Sequence, residues 1–166
     1  MKYNFIILGL ASAILIMVGF IWFNPRLFGK AWMESSGLTE EKIKGNNMGR
    51  TLSLTLAFSF FIAFSLQYMV IHQFHLFSML LSEPGIKEPG SAIYELYKDL
   101  MVRFGDNFRT FKHGAFHGLI AGVTLAFPLI AINALFEMKS FKYIFINSGY
   151  WTLSLILMGG LICAYA

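Results

Sequence analysis

A chain of 166 residues that is 57% hydrophobic and only 13% charged does not have the composition of a water-soluble domain, where about 25% of residues are charged. Its 18 phenylalanines and 9 methionines indicate that lipid is the main surrounding medium. The net charge of +4 comes from basic residues scattered beside hydrophobic segments, so we expect membrane lipids as partners and no nucleic acid.

The length leaves room for one folded unit, and we expect residues 1–166 to form a single integral membrane domain. The one cysteine, Cys163, lies in the last apolar segment and has no partner for an intramolecular disulfide. We expect it to pack against a helix or lipid rather than to react, because an apolar setting disfavours the thiolate.

The first predicted element is an uncharged apolar run at residues 5–23, which as a helix of roughly 28 Å is long enough to cross the hydrocarbon core of a bilayer. Lys2 before such a run is also typical of a secretory signal peptide. No small-x-small cleavage site follows the run, so we expect a retained membrane helix.

The connection after this helix begins with features of a short amphipathic helix at the membrane surface. Asn24 is typical of a helix cap and Pro25 of a first helical residue, and residues 26–35 carry their apolar side chains on one side. Trp22 and Trp32 are expected at the lipid–water interface, where tryptophan is enriched.

Turn signals then predict a second short helix and the start of the second span. Gly37 is expected to end the amphipathic helix, and Thr39 to cap a helix of sequence EEKIK that stops at Gly45. Residues 51–73 form the second predicted span, and the helix is expected to continue to about residue 81.

The longest connection, residues 82–112, predicts one amphipathic helix resting on the membrane surface or on the bundle. Prolines and glycines interrupt its first part, and an apolar stripe at helical spacing follows from Ser91 onward. Gly105 is the weak point at which this helix is expected to break.

The third predicted span, residues 114–136, is expected to be the central helix of the bundle. Small residues recur at every fourth position along one of its faces: Gly114, Gly118, Gly122 and Ala126. Such a face lets the backbone of another helix come close. Pro128 removes one backbone hydrogen bond and is expected to kink the helix near Thr124.

A very short turn separates this segment from the fourth span, residues 143–165, and short turns join antiparallel neighbours. The predicted fold is therefore all-α, a four-helix transmembrane bundle with short interfacial helices in the first and second connections. Both termini then lie on one side of the membrane. Seven basic residues fall on one side and six on the other, which leaves the orientation open.

Six short runs give the chain a family likeness: WFNPRLFGKAW at 22–32, GLTEE at 37–41, HGAFHG at 113–118, NALFE at 133–137, NSGYW at 147–151 and MGG at 158–160. With these motifs the chain resembles a bacterial family of small integral membrane proteins of unknown function. In that family a WYxPxxFGxxW run follows the first membrane helix, and here Phe23 replaces the tyrosine. The resemblance implies a four-helix domain in the bacterial inner (cytoplasmic) membrane, and it implies no activity.

The four histidines form two closely spaced pairs, His72 with His75 and His113 with His117. Each spacing places both imidazoles on one helix face, and both pairs are expected on the same membrane side. Together they predict ligands for Zn²⁺ or another first-row metal, or axial ligands for a haem iron. The alternatives are hydrogen-bonding side chains at the interface and a proton relay.

Three polar side chains within or at the end of the spans, Gln67, Asn133 and Glu137, suggest a second kind of site. Glu137 is expected either to pair with a lysine of the following turn or to face the bundle interior and bind a cation or proton. It lies roughly 30 Å along the helix from His117, so the histidines and Glu137 are not expected to share one site.

No catalytic motif appears in the sequence, so we expect no enzyme. The leading hypothesis is a membrane protein that acts through helix or lipid contacts, as an accessory subunit of another membrane protein or as a homo-oligomer. The alternatives are a metal- or haem-binding membrane protein that uses the histidines, and a carrier of an ion, a proton or a small solute.

Overall fold

The computed structural model describes residues 3–166, apart from the side chain of Glu40, and regular structure in this range is entirely helical. In chain order the helices are α1 (Phe5–Trp22), α2 (Gly29–Ser36), α3 (Glu40–Lys44), α4 (Met48–Val70), α5 (Gln73–Leu80), α6 (Ala92–Phe104), α7 (Phe111–Ala121), α8 (Phe127–Phe136) and α9 (Phe141–Tyr165). A π-helical turn, Gly122–Ala126, joins α7 to α8. These three pieces form a continuous segment, Phe111–Phe136, which is called the third span below.

Four helical segments are long and apolar enough to cross a membrane: α1, α4, the third span and α9. This confirms the predicted fold class. The side chains that point away from the bundle along these segments are large and apolar, as expected where lipid is the solvent. Examples are Phe20, Phe61 and Phe136, which are 63%, 66% and 87% exposed.

The fourth span, α9, rather than the third span, occupies the centre of the bundle, so the expected central position of the third span is wrong. α9 packs against α1, α4 and every part of the third span. Of an apolar stretch of 18 residues in each span, 44% is buried in α9 and 17% in the third span. The reason is the distribution of small residues: the third span has one small face, whereas Ser148, Ser154 and Gly160 help α9 to receive neighbours on several sides.

The small face of the third span lies directly against α9. A Cβ atom added to Gly114 would lie 2.1 Å from the carbonyl oxygen of Gly159, and one added to Gly118 would lie 2.1 Å from that of Leu155. One added to Gly122 would lie 2.8 Å from the Cα atom of Thr152. The two backbones therefore approach more closely than any side chain on these positions would allow, while Ala126 is partly buried against the same core.

The predicted irregularity near Thr124 takes the form of the π-helical turn at Gly122–Ala126. Pro128 follows within α8 and has no backbone N–H to offer to the preceding turn. The hydroxyl of Thr124 donates to the carbonyl oxygen of Ile120 at 2.8 Å. The helix is thus rearranged one turn before the proline, where the proline leaves backbone groups unpaired.

The second span ends earlier than predicted, because the chain turns at Ile71 and α4 does not continue into α5. Ile71 is extended, with φ −111° and ψ 97°, and its side chain is buried. The amide of Gln73 donates to the carbonyl oxygens of Phe104 at 3.2 Å and Asn107 at 2.9 Å. These bonds attach the first turn of α5 to the end of α6 and the loop after it, and they redirect the chain.

Asn24 caps a turn and not the start of α2, so the predicted helix start at Asn24 and Pro25 is wrong. The side-chain oxygen of Asn24 accepts from the N–H of Arg26 at 2.9 Å, and the backbone carbonyl oxygen of Asn24 accepts from the N–H of Gly29 at 3.0 Å. The turn closes tightly over Gly29, where an added Cβ atom would lie 2.3 Å from a backbone oxygen. Trp22 is half-buried, and its indole donates to the carbonyl oxygen of Ile146 at 3.0 Å.

Other predicted helix ends are confirmed. Gly37 terminates α2 in a left-handed conformation with φ +72°. Thr39 accepts from the N–H of Lys42 at the start of α3, and Ser91 accepts from that of Tyr94 at the start of α6. α6 ends at Phe104, with Gly105 as its C-cap.

Replacing Gly118 with alanine should push α7 away from α9, because the atom nearest to the new Cβ belongs to the backbone and cannot move aside. Overpacking of this kind costs typically about 1–3 kcal/mol, so we expect Gly118→Ala to lower the thermal unfolding midpoint in detergent. Gly9→Ala is the matched control, since Gly9 also lies in a membrane helix but has no atom within 4 Å of an added Cβ. Equal midpoints for the two variants would contradict the close approach of α7 to α9.

Candidate metal centre

Three of the four histidines meet where α4 ends and the third span begins. The nearest ring nitrogens of His72, His113 and His117 all lie within 4.8 Å of one another. The Nε2 atoms of His72 and His113 are 2.9 Å apart. The ring centroids of His113 and His117 are 4.5 Å apart, one turn from each other on α7. These three residues are called the histidine cluster below.

The two histidines of α7 are held by the start of that helix and by its contact with α9. The hydroxyl of Thr110 accepts from the backbone N–H of His113 at 3.2 Å, which caps the first turn. Gly114 and Gly118 directly follow the two histidines and lie against α9. The small face thus fixes the rotation of α7, and with it the direction of both imidazoles.

His72 reaches the cluster because the helix breaks just before it. It precedes the first residue of α5, and its ring centroid lies 4.9 Å from that of His113 and 5.0 Å from that of His117. The expected fourth member, His75, lies outside the cluster and is exposed on α5. After the break the chain follows α5 towards α6 rather than α7, so the predicted pairing of His75 with the α7 histidines is wrong.

Two further residues support the cluster, and sequence reasoning assigned neither to it. The ring of Phe108 lies against His72 and His113, with centroid distances of 6.0 and 5.0 Å. The buried thiol of Cys163 lies 3.2 Å from the carbonyl oxygens of both Val70 and Phe108. Cys163 therefore ties together the segments on either side of the cluster, a role for which an isolated cysteine gives no signal.

The geometry suits one metal ion. Two nitrogens bound to a tetrahedral metal at about 2.0–2.1 Å lie roughly 3.3 Å apart, and small rotations of the imidazoles from their spacings of 2.9 Å and at most 4.8 Å would bring all three around one ion. Within residues 3–166, Glu40 apart, no carboxylate or thiol joins the three imidazoles. Three neutral nitrogen ligands are the protein ligands of zinc sites that keep their fourth coordination position for water or another small ligand. The cluster is partly exposed, so such a ligand could reach it.

The same geometry argues against a haem held between His72 and His113, the two closest imidazoles. An iron held axially by two imidazoles separates their nitrogens by about 4 Å, twice a metal–nitrogen bond of about 2 Å, with a porphyrin ring between them. The 2.9 Å between the Nε2 atoms of His72 and His113 leaves no room for that ring. Without a metal, this distance is that of a hydrogen bond between neutral imidazoles.

Comparison with known families places the chain in a group without an assigned activity. A family model described as a protein of unknown function, DUF1761, matches residues 6–163. The chain belongs to the DUF1761 family. This confirms the resemblance to small membrane proteins of unknown function, and the match includes the whole histidine cluster. No curated protein and no solved structure matches the chain.

The three polar residues considered for a transport path do not converge in this DUF1761 protein. Gln67 is 1% exposed in the core, and its Nε2 atom has no hydrogen-bond partner among the described residues. Asn133 and Glu137 are exposed at the opposite end of the third span from the histidine cluster. The expected interior position of Glu137 is therefore wrong.

The turn lysines pair with the first connection and not with Glu137, which corrects the other expectation for that residue. The ammonium of Lys139 donates to the carbonyl oxygen of Ser36 at 3.1 Å, and Lys142 lies 2.6 Å from the carboxylate of Glu34. The hydrogen bond and the charge of Lys142 lower the pKa of Glu34 below its usual value. These contacts hold the turn before α9 against α2.

Because its folded-state pKa is lowered, Glu34 contributes stability above its unfolded-state pKa, and this contribution is lost as the pH falls through the folded value. We expect Lys142→Met to flatten the fall in the thermal unfolding midpoint of this DUF1761 protein below about pH 5. The effect should be small, because both side chains are exposed. Lys30→Met, which removes an exposed lysine from α2, should leave the profile unchanged; identical profiles for both variants would contradict the pairing.

Proposed function

We propose that this DUF1761 protein is a multi-pass membrane protein that binds one transition-metal ion through His72, His113 and His117. The observation that carries the proposal is the convergence of three imidazoles from two segments about forty residues apart, with ligand nitrogens within 4.8 Å. A pair of interfacial histidines is common, since the ring suits a half-wet position. Three that meet across a helix break are less common at an interface and supply the nitrogen donors that a first-row metal prefers, which supports the proposal.

The donor set supports a first-row metal over Mg²⁺ or Ca²⁺, which prefer oxygen ligands. Zn²⁺ is the simplest occupant, and the same three nitrogens also suit Cu²⁺ or Ni²⁺. Bound there, the ion would retain its positive charge, because all three ligands are neutral. It would also keep a coordination position on the exposed side of the cluster.

The bacterial inner membrane is part of this proposal, with membrane lipids as the immediate partners. Helical multi-pass proteins fit that membrane, whereas spanning proteins of the bacterial outer membrane are β-barrels. The motifs shared with a bacterial family support the same assignment. Large apolar side chains on the outer faces of all four spans support contact with lipid.

Association with a second copy or with another membrane protein stays a prediction. The glycines of the third span do not support such a contact, because α9 of the same chain already packs on them. A carrier lined by Gln67, Asn133 and Glu137 has less support, because these side chains lie apart. The histidine cluster therefore provides the stronger argument for function.

The test is stoichiometric metal binding by the purified protein in detergent. We expect the metal-stripped protein to take up one Zn²⁺ per chain, measured by titration and elemental analysis, and to show no haem absorption. Loss of a residue that only supports a metal ligand typically weakens metal binding about 10–100-fold. His72→Ala, His113→Ala and His117→Ala each remove a ligand itself, so each should weaken zinc binding by more than that.

His75→Ala is the matched control, since this histidine lies outside the cluster and its replacement should leave zinc affinity unchanged. Sub-stoichiometric zinc in the wild-type protein would overturn the proposal. An equal loss of affinity in all four variants would also overturn it, because general damage to the fold rather than loss of ligands would then explain the effect.

A further inference from the structure

An apolar groove runs between α4 and the third span, with α9 as its floor. Its volume is about 480 Å³. One wall includes Phe61 and Met69 of α4, the other includes Leu125 and Leu129 of the third span, and Trp151 lies on the floor. The lining is apolar except for two uncharged side chains, Ser65 and Asn133.

The helices that form the walls are the ones that carry the histidine cluster. His72 follows the lining residue Met69 by three positions, and His117 precedes the lining residue Ala121 by one helical turn, about 6 Å. The walls approach each other at the cluster, where the Nε2 atoms of His72 and His113 are 2.9 Å apart. The cluster therefore lies beside one end of the groove.

We propose that the groove binds the hydrocarbon chain of a long-chain fatty acid, whose carboxylate coordinates the metal held by the histidine cluster. This inference rests on the metal binding proposed above. A metal with three neutral ligands carries positive charge, and a carboxylate oxygen is a common zinc ligand at about 2.0–2.2 Å. Among the residues that the structure describes, no charged side chain lines the groove, so the metal would supply the charge complementarity.

The length of the groove suits one hydrocarbon chain. Along the third span the lining extends from Ala121 to Asn133, about 18 Å at 1.5 Å per residue. One leaflet accounts for half of a hydrocarbon core about 30 Å thick, so the groove is close in length to one lipid chain.

The inference is tested by photo-crosslinking of the full chain in lipid nanodiscs. The probes are hexadecanoic acid with a diazirine near the end of its chain and the methyl ester of the same molecule, which lacks the anionic head. With zinc bound, we expect the acid to label the groove segments around 61–69 and 121–133 about tenfold more than the ester, a factor that corresponds to roughly 1.4 kcal/mol. His117→Ala should reduce labelling by the acid to the level of the ester.

A pair of variants on one helical turn separates the groove from the rest of the lipid-facing surface. Leu125 lines the groove and Val123 does not, yet their side chains are 54% and 52% exposed, so both sites accept a larger residue. Leu125→Trp should fill the groove and abolish the preference for the acid, while Val123→Trp should keep it.

The outcomes distinguish this inference from the proposed function. Zinc binding with equal labelling by acid and ester, or with labelling spread over all lipid-facing helices, would overturn the fatty-acid site and leave the metal site in place. A failure to bind zinc would overturn both.

Discussion

The contact between the backbones of α7 and α9 is the constraint on which the rest of this structure depends. In lipid there is little hydrophobic force to hold two helices together, so the interface has to be made by close packing. Gly114 and Gly118 on one helix and Gly159 on the other allow that approach. The same contact fixes the rotation of α7 and thus points His113 and His117 at the end of α4.

The histidine cluster depends on this interface and also on the break between α4 and α5. The extended residue Ile71, and the two bonds from Gln73 to the end of α6 and the loop after it, place His72 beside α7. The thiol of Cys163, on the central helix, touches carbonyl oxygens on both sides of the cluster. Imidazoles distant in sequence are thereby held with their ring nitrogens within 4.8 Å of one another next to an apolar groove within the bundle, which is how the architecture supports the proposed function.

Much of the fold could be predicted from the sequence, because its signals are local. Apolar runs of sufficient length predict the four spans, glycines four residues apart predict a close helix contact, and Thr39 and Ser91 mark helix starts through their own hydroxyls. The break at Ile71 could not be predicted, since no proline or glycine causes it and its stabilising bonds come from residues more than thirty positions away. The central role of α9 and the exclusion of His75 likewise depend on tertiary packing, which spacing alone does not determine.

The central claim, that three histidines from two segments bind one metal ion, is tested most directly by X-ray absorption spectroscopy at the zinc edge of the zinc-loaded protein. The account predicts three imidazole nitrogens at about 2.0–2.1 Å, with one further light ligand completing a tetrahedral shell. A shell containing sulfur, or one made mainly of water oxygens with at most one imidazole, would contradict it.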